Sequence, residues 1–309
     1  MNKTALTVEN LTKIYSGNKK RKSEKALNNL SFEVKQGEVL GLLGPNGAGK
    51  TTFLSILGGT VLKTQGKVNV WGFDLDKNPR QVKASIGIVP QEINLDAFFS
   101  PKKLLDLQAG LYGVPKKNRI TDIILKMVSL EDQANSYSRN LSGGMKRRLL
   151  IAKAMVHQPP ILVLDEPTAG VDVELRKKLW ENVKDLNKEG VTIILTTHYL
   201  FEAQKMCDRI AIINKGNLVA LDTTQQLLER IQTKKVRFKI KNLPKDETLI
   251  LNGVRFEITG NSSITATYEK NVHKFESILS FLKQKNLEIL DISTEDTDLE
   301  DVFVQLTNN

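Results

Sequence analysis

One segment of the chain combines glycines, a lysine and hydroxyl groups at the spacing of a phosphate-binding loop. It lies between an apolar strand pattern and a helix pattern, and it reads Gly44-Pro45-Asn46-Gly47-Ala48-Gly49-Lys50-Thr51-Thr52. Glycines in such a loop let consecutive backbone N–H groups point at a phosphate chain, and the start of the helix adds partial positive charge. Lys50 would reach the β- and γ-phosphates, and the Thr51 hydroxyl would bind Mg²⁺. These residues predict a nucleotide-binding site; the alternative is a glycine turn that only caps a helix.

Two adjacent carboxylates follow a second apolar run at the end of a predicted buried strand. The run is Ile161–Leu164, and Asp165 and Glu166 come directly after it. Asp165 would hold Mg²⁺ through its water shell, and Glu166 would polarise the water that attacks the γ-phosphate, as general base or as orienter. A solvated acidic turn after a core strand is the alternative. With the glycine loop upstream, the pair favours ATP hydrolysis.

A third motif places a serine and two glycines at the start of a helix pattern, where backbone N–H groups can bind an anion. It reads Leu141-Ser142-Gly143-Gly144-Met145-Lys146-Arg147-Arg148 and resembles the signature motif of the ABC (ATP-binding cassette) ATPases. The resemblance implies that Ser142–Met145 cap the γ-phosphate of ATP bound to an opposing subunit. Met145 stands where glutamine is most common, and we expect function to be retained because backbone amides bind the phosphate. The alternative is a plain N-cap serine followed by glycines.

The resemblance covers about residues 4–225 and assigns further roles. It implies that Tyr15 stacks on adenine, that Gln91 contacts Mg²⁺ and the attacking water, and that Asp172 lies in a loop that meets the partner subunit. It also implies that His198 contacts the γ-phosphate and orients Glu166. The alternatives are an ordinary strand tyrosine, a plain loop glutamine, a helix N-cap aspartate and a structural histidine. The resemblance thus gives the catalytic set Lys50, Gln91, Glu166 and His198, the Mg²⁺ ligands Thr51, Gln91 and Asp165, and ATP contacts at Tyr15 and residues 44–52.

The elements that would position these residues alternate between strand and helix patterns. Strand patterns lie at 4–15, 26–43, 161–164, 191–196 and 209–213, and helix patterns at 101–111, 118–129, 143–156, 172–189 and from about 198. Strands that alternate with helices predict a largely parallel sheet. The fold class that the resemblance implies is α/β, a P-loop NTPase of the ABC nucleotide-binding type. It has a mixed sheet core, antiparallel N-terminal strands and a helical subdomain inserted at about 92–158.

A change of composition near Glu229 predicts a domain boundary. Residues 231–245 carry six positive charges and no negative one. We therefore expect an ATP-binding domain at 1–229 and a small α+β domain at 230–309, with strands at 236–241, 249–258, 263–268 and 287–292 and a last helix from Asp298. The small domain is interpreted either as a stabilising appendage or as a regulatory or dimer-reinforcing unit.

The composition of the chain excludes several classes of protein. The 309 residues include 40% hydrophobic and 26% charged side chains, which excludes global disorder. No apolar stretch approaches the length of a membrane-spanning helix, and the single cysteine, Cys207, cannot form an internal disulfide. A cytoplasmic location is therefore expected. The net charge of +10, including five positive charges against one negative in the loop 17–25, suggests phosphate-bearing partners or an anionic membrane surface.

One phosphate-binding loop and one signature motif do not complete each other's site within a single subunit. The resemblance therefore implies a head-to-tail homodimer that encloses two ATP molecules with Mg²⁺. The sequence of the motifs resembles that of ABC-2 type, YadG-type export cassettes most. This resemblance implies a separate multi-helix permease and a peripheral position on the inner face of the cell membrane. A soluble ABC-type ATPase that acts on nucleic acid or ribosomes is the alternative. The chain has neither a long coiled coil nor a tandem cassette, so no nucleic-acid partner is expected.

Overall fold

The computed structural model describes residues 3–17, 23–171, 173–230, 233–241, 249–258, 262–269, 271–295 and 298–307. The chain divides into two compact units, Met1–Thr223 and Thr224–Asn309. The boundary expected at Glu229 falls at the end of a helix, Thr224–Glu229, that belongs to the second unit. Asp172 lies outside the described residues, as do residues 18–22 of the basic loop and parts of the basic run 231–245.

The first unit contains ten strands and seven α-helices among its described residues. In chain order they are β1 (Thr4–Tyr15), β2 (Glu24–Lys35), β3 (Val39–Leu43), α1 (Lys50–Leu57), β4 (Gln65–Val70), β5 (Phe73–Asp74), α2 (Pro79–Ser85), β6 (Ile86–Val89), α3 (Pro101–Leu111), α4 (Thr121–Met127), α5 (Gly143–Met155), β7 (Ile161–Asp165), α6 (Val173–Lys188), β8 (Thr192–Thr196), α7 (Leu200–Met206), β9 (Arg209–Asn214) and β10 (Asn217–Thr223).

A six-stranded sheet in the order β10-β9-β3-β8-β7-β6 forms the centre of this unit. The pairs from β9 to β6 are parallel, and β10 pairs with β9 antiparallel. Strands β3 and β8 are buried along their whole length, as expected for a parallel sheet covered on both faces. Parallel strands end at one edge of the sheet, so the segments that follow β3, β6, β7 and β8 meet there.

A second, antiparallel sheet has the order β2-β1-β4-β5. The pattern 26–43 is two strands rather than one continuous region, because the chain turns at Gly37, where φ is +75°. Phe32 of β2 and Phe53 of α1 lie with their ring centroids 5.4 Å apart, within one core that both sheets share. Strand β1 pairs with β2, and this pairing places Tyr15 at the end of β1 opposite Glu24.

The segment between β6 and β7 is helical, as the inserted subdomain of the predicted fold requires. It contains α3, α4 and α5 without an intervening strand. Ser100 caps α3 by accepting a hydrogen bond from the Lys103 N–H, with Pro101 at the first helical position. Helix α4 begins later than predicted because residues Lys116–Asn118 form a separate 3₁₀ turn.

The second unit is an antiparallel sheet with helices. Its elements are α8 (Thr224–Glu229), β11 (Thr233–Ile240), β12 (Val254–Ile258), β13 (Ser263–Glu269), α9 (Phe275–Gln284), β14 (Ile289–Glu295) and α10 (Leu299–Thr307), with strand order β12-β13-β11-β14. Phe238 of β11 and Ile278 and Leu282 of α9 are fully buried in its own core. The strand expected at 249–258 is shorter, since only a single bridge, Leu251 to Val254, precedes β12.

Candidate functional site

A cleft of about 720 Å³ lies at the edge of the central sheet where the parallel strands end. It is lined by Tyr15, residues 46–52, Gln91, Asp165, Glu166 and His198, together with Glu24 and Ala26. Residues far apart in sequence therefore meet as predicted. The glycine loop, Gln91, Asp165, Glu166 and His198 lie at or just after the carboxyl ends of β3, β6, β7 and β8, whereas Tyr15, Glu24 and Ala26 belong to the antiparallel sheet. Gly44 and Pro45 do not line the cleft and instead contact it through Lys50.

The backbone of the glycine loop has a shape that side chains would disturb. Gly49 is the residue before α1 and has φ +109°, and a Cβ atom there would lie 2.5 Å from the Ala26 carbonyl oxygen. Gly47 also has positive φ, at +79°, but no heavy atom lies within 4 Å of the position of its Cβ. The loop thus needs glycine at residue 49 for space and at residue 47 for conformation alone.

Substitution of these two glycines should separate the steric and conformational costs. Gly49→Ala is expected to lower the free energy of unfolding by about 3 kcal/mol, because it adds a backbone clash to the strain of positive φ. The matched Gly47→Ala carries only the conformational cost, about 1 kcal/mol. Urea unfolding of both variants measures the difference. Equal losses would show that the loop can move away from Ala26.

Lys50 reaches back over the loop that precedes it. Its Nζ donates hydrogen bonds to the carbonyl oxygens of Gly44 (2.5 Å) and Pro45 (3.2 Å). Burial lowers the pKa of Lys50, and the nearby carboxylates of Glu166 and Asp165 act in the opposite direction. A cation beside two carboxylates and a helix N-terminus can bind a polyphosphate.

Glu166 is held by two of the other predicted catalytic side chains. Gln91 Nε2 donates to Glu166 Oε2 at 3.1 Å, and His198 Nδ1 lies 3.0 Å from the same oxygen. The Glu166 backbone has φ +45°, a left-handed conformation that side chains rarely adopt. Its N–H donates to the carbonyl and hydroxyl oxygens of Thr196, at 3.1 and 3.0 Å. The carboxylate is thereby fixed at the edge of the cleft, where a general base would be needed.

Asp165 and Thr51 bring oxygen atoms to the same cleft. Asp165 Oδ1 accepts a 2.6 Å hydrogen bond from the Thr196 hydroxyl, which orients the carboxylate. Hydroxyl, amide and carboxylate oxygens from Thr51, Gln91 and Asp165 are the hard ligands that Mg²⁺ prefers. The donor set at this position therefore fits the predicted metal.

Tyr15 lies at the open side of the cleft. Its side chain is 39% exposed, and Lys13 Nζ lies 4.7 Å from the centroid of its ring. An exposed aromatic face at the mouth of a phosphate site is suited to stacking on a base.

The serine and glycines of the third motif lie outside this cleft. Ser142 caps α5 by accepting a 3.3 Å hydrogen bond from the Met145 N–H, and Ser142 and Gly143 are exposed. The predicted helix start is thus correct. These residues present the beginning of α5 to solvent, away from the glycine loop of the same chain.

Two functional supports were not found from sequence. Thr196 contacts both Asp165 and Glu166. Its position at the end of a predicted strand that faces the Asp-Glu strand is a signal by which this residue could have been found. Arg147 is buried among the catalytic loops and donates to carbonyl oxygens there. Burial lowers the pKa of Arg147, while Asp165 and Glu166 raise it. In the sequence it stands within a basic run, which is more typical of a solvated surface.

The fold and the cleft together define a P-loop nucleotide-binding protein. The ABC transporter family model matches residues 27–169. The linearmycin resistance ATP-binding protein LnrL of Bacillus subtilis is 32% identical, with 98% of each chain aligned. The Nod factor export ATP-binding protein I of Neorhizobium galegae is 35% identical over 98% of this chain and 85% of its own. The chain belongs to the ABC transporter family of ATP-binding proteins.

Solved structures agree with this assignment. An ATP-binding subunit of an ABC transporter superimposes with a TM-score of 0.65 at 27% identity, covering 73% of this chain and 92% of its own. The cassette MJ0796, solved as a dimer in a post-hydrolysis state with ADP and Pi, gives 0.63 at 27% identity, covering 71% and 98%. The predictions of fold class, ATP binding and ATPase activity are confirmed.

Proposed function

We propose that the chain is the ATP-hydrolysing subunit of an ABC-2 type membrane exporter. The main support for ATP hydrolysis is that Gln91 and His198 both contact one oxygen of Glu166 beside the glycine loop. Export is supported by the relatives, which include Nod factor export and linearmycin resistance ATP-binding proteins. These relatives do not favour the alternative of an ATPase that acts on nucleic acid or ribosomes.

The predicted site residues of the cleft receive roles in binding or hydrolysis. Lys50 and the backbone N–H groups of the glycine loop from residue 46 to residue 52 bind the phosphates, and Tyr15 stacks on the adenine. Glu166 accepts a proton from the attacking water, and His198 and Gln91 hold its carboxylate in place. Thr51, Gln91 and Asp165 would hold Mg²⁺, which would neutralise phosphate charge there.

Two subunits would assemble head to tail around two ATP molecules. The exposed start of α5, with Ser142, Gly143, Gly144 and Met145, lies outside the cleft of its own chain. Its N–H groups can bind the γ-phosphate of ATP held by a second copy. The solved MJ0796 cassette is dimeric, which supports this arrangement.

The helical subdomain supplies a surface for a permease. A second cleft, of about 860 Å³, lies between α1, β6 and helices α3 and α5, and Thr51 and Asp165 line both clefts. Apolar side chains are exposed on this subdomain, including Phe98 at 72% and Leu111 at 83%. Among the described residues no helix is long and apolar enough to span a bilayer. We infer that a separate multi-helix permease docks here and holds the protein at the inner face of the membrane.

Purification from detergent-solubilised membranes tests this function. The tagged protein is expected to retain a multi-helix membrane protein, and Leu111→Asp should lower the recovered amount by about tenfold or more, because a charge replaces a central apolar contact. The matched Leu62→Asp changes a leucine that is equally exposed, at 83%, but lies outside the helical subdomain, so it should have little effect. ATPase activity that DNA or ribosomes stimulate without membranes would instead support the alternative.

A further inference from the structure

Arg147 is a buried cation that joins the catalytic loops. It lies in the second turn of α5, and only 2% of its surface is exposed. All five of its observed acceptors are backbone carbonyl oxygens. Nε donates to Pro167 (2.8 Å), Nη1 to Pro90 (2.7 Å) and Gln91 (2.8 Å), and Nη2 to Asp165 (3.4 Å) and Glu166.

These acceptors belong to two segments that are far apart in sequence, residues 90–91 and 165–167. A guanidinium group is planar and rigid, so a single side chain that bonds to both segments fixes the distance between them. On the cleft side the same segments meet again through Gln91 Nε2 and Glu166 Oε2, 3.1 Å apart. Arg147 therefore holds at the backbone the two residues whose side chains touch in the cleft.

The backbone of Glu166 needs such support more than its neighbours do. Its left-handed conformation, with φ +45°, is disfavoured for a residue with a side chain. The N–H of Glu166 donates to Thr196, and its carbonyl oxygen accepts from Arg147. Removal of Arg147 would leave the Glu166 carbonyl oxygen with the 3.2 Å hydrogen bond from the Ala169 N–H, and it would take a donor from the carbonyl oxygens of Pro90, Gln91 and Pro167.

We propose that Arg147 is a positioning residue for ATP hydrolysis, which keeps Gln91 and Glu166 within mutual reach and ties both to the helix that begins at Ser142. The inference rests on the roles proposed above for Gln91 and Glu166. Because Ser142 caps α5 and Arg147 lies in its second turn, a displacement of the start of α5 reaches both catalytic segments. The signature motif of a subunit is thereby coupled to the general base of the same subunit.

Substitution of Arg147 tests the proposal through a separation of kcat from nucleotide binding. Arg147→Met removes every donor and is expected to lower kcat about 100-fold, since small displacements of catalytic groups have effects of that size. The Kd for a fluorescent ATP analogue should stay close to that of the unchanged protein. Arg147→Gln supplies a planar amide with two N–H donors and should recover part of kcat. A merely structural role would lower Tm and leave kcat per folded molecule unchanged.

The neighbouring arginine provides a matched control. Arg148 Nη1 donates to the carbonyl oxygens of Val128 (2.6 Å) and Ser129 (2.7 Å), just after α4 and away from the catalytic segments. Arg148→Met should lower Tm with kcat close to that of the unchanged protein. If Arg147→Met does not fold, Arg147→Lys tests the positioning role in its place. One ammonium group cannot span both segments, so this variant is expected to lose about tenfold or more in kcat.

Parallel assays of Glu166→Gln distinguish a failure of the proposed role of Glu166 from a failure of the positioning role of Arg147. Normal turnover by Glu166→Gln would refute the proposed role of Glu166 as the general base, on which the inference rests. If Glu166→Gln is inactive but Arg147→Met, or Arg147→Lys in its place, has normal kcat, only the positioning role is refuted. A raised Kd with unchanged kcat in the Arg147 variant would likewise overturn it.

Discussion

Glu166→Gln is expected to bind ATP normally and to hydrolyse it about 1,000-fold more slowly, or not measurably. Glutamine has nearly the same shape as glutamate and can still accept the contacts of Gln91 and His198 at its amide oxygen. It cannot take a proton from water, so the chemical step loses its base while the phosphate site keeps its donors. Because hydrolysis would reopen the proposed dimer, ATP should trap this variant as a dimer.

Steady-state ATPase assays and size-exclusion chromatography with ATP and Mg²⁺ measure these two effects. Glu181→Gln, which changes an exposed carboxylate on α6, is the matched control and should retain both turnover and the mass distribution of the unchanged protein. Normal hydrolysis by Glu166→Gln would show that the carboxylate is not the base. Loss of ATP binding would show that Glu166 acts on the nucleotide itself.

The chemistry at the sheet edge was predictable because it depends on local patterns. Apolar runs predicted β3 and β7, and parallel strands of one sheet end on the same side. A loop after β3, an Asp-Glu pair at the end of β7 and a histidine after β8 must therefore meet, whatever the details of packing. The sequence order of the motifs was sufficient to bring Lys50, Glu166 and His198 into one cleft.

The supports of that cleft were less predictable because they depend on tertiary contacts. Thr196 and Arg147 act on Glu166 through its backbone, and a backbone acceptor leaves no signature in the side chains of the sequence. The boundary near Glu229 was drawn from charge composition, whereas the division before α8 follows from which residues pack together. Strands β4 and β10 were likewise missed, since each is defined by pairing with a partner strand.

Lys50→Ala is expected to weaken ATP binding itself, by a factor of about 10 to 150, which corresponds to the loss of about 1.5 to 3 kcal/mol for hydrogen bonds to a charged group. The Lys50 ammonium lies beside Gly44 and Pro45, within the loop proposed to bind the phosphates, and it offsets the charge of Asp165 and Glu166 there. Without Lys50, the two carboxylates would repel the polyphosphate, and only the backbone dipoles would attract it.

Equilibrium titration with a fluorescent ATP analogue measures this loss directly. Lys126→Ala, which removes an exposed lysine of α4, changes the net charge equally and should leave Kd unchanged. The contrast with Glu166→Gln is then diagnostic, because one variant should lose affinity and the other turnover. Retained affinity in Lys50→Ala would mean that the backbone N–H groups and Mg²⁺ suffice for the phosphates, and that Lys50 acts on the transition state alone.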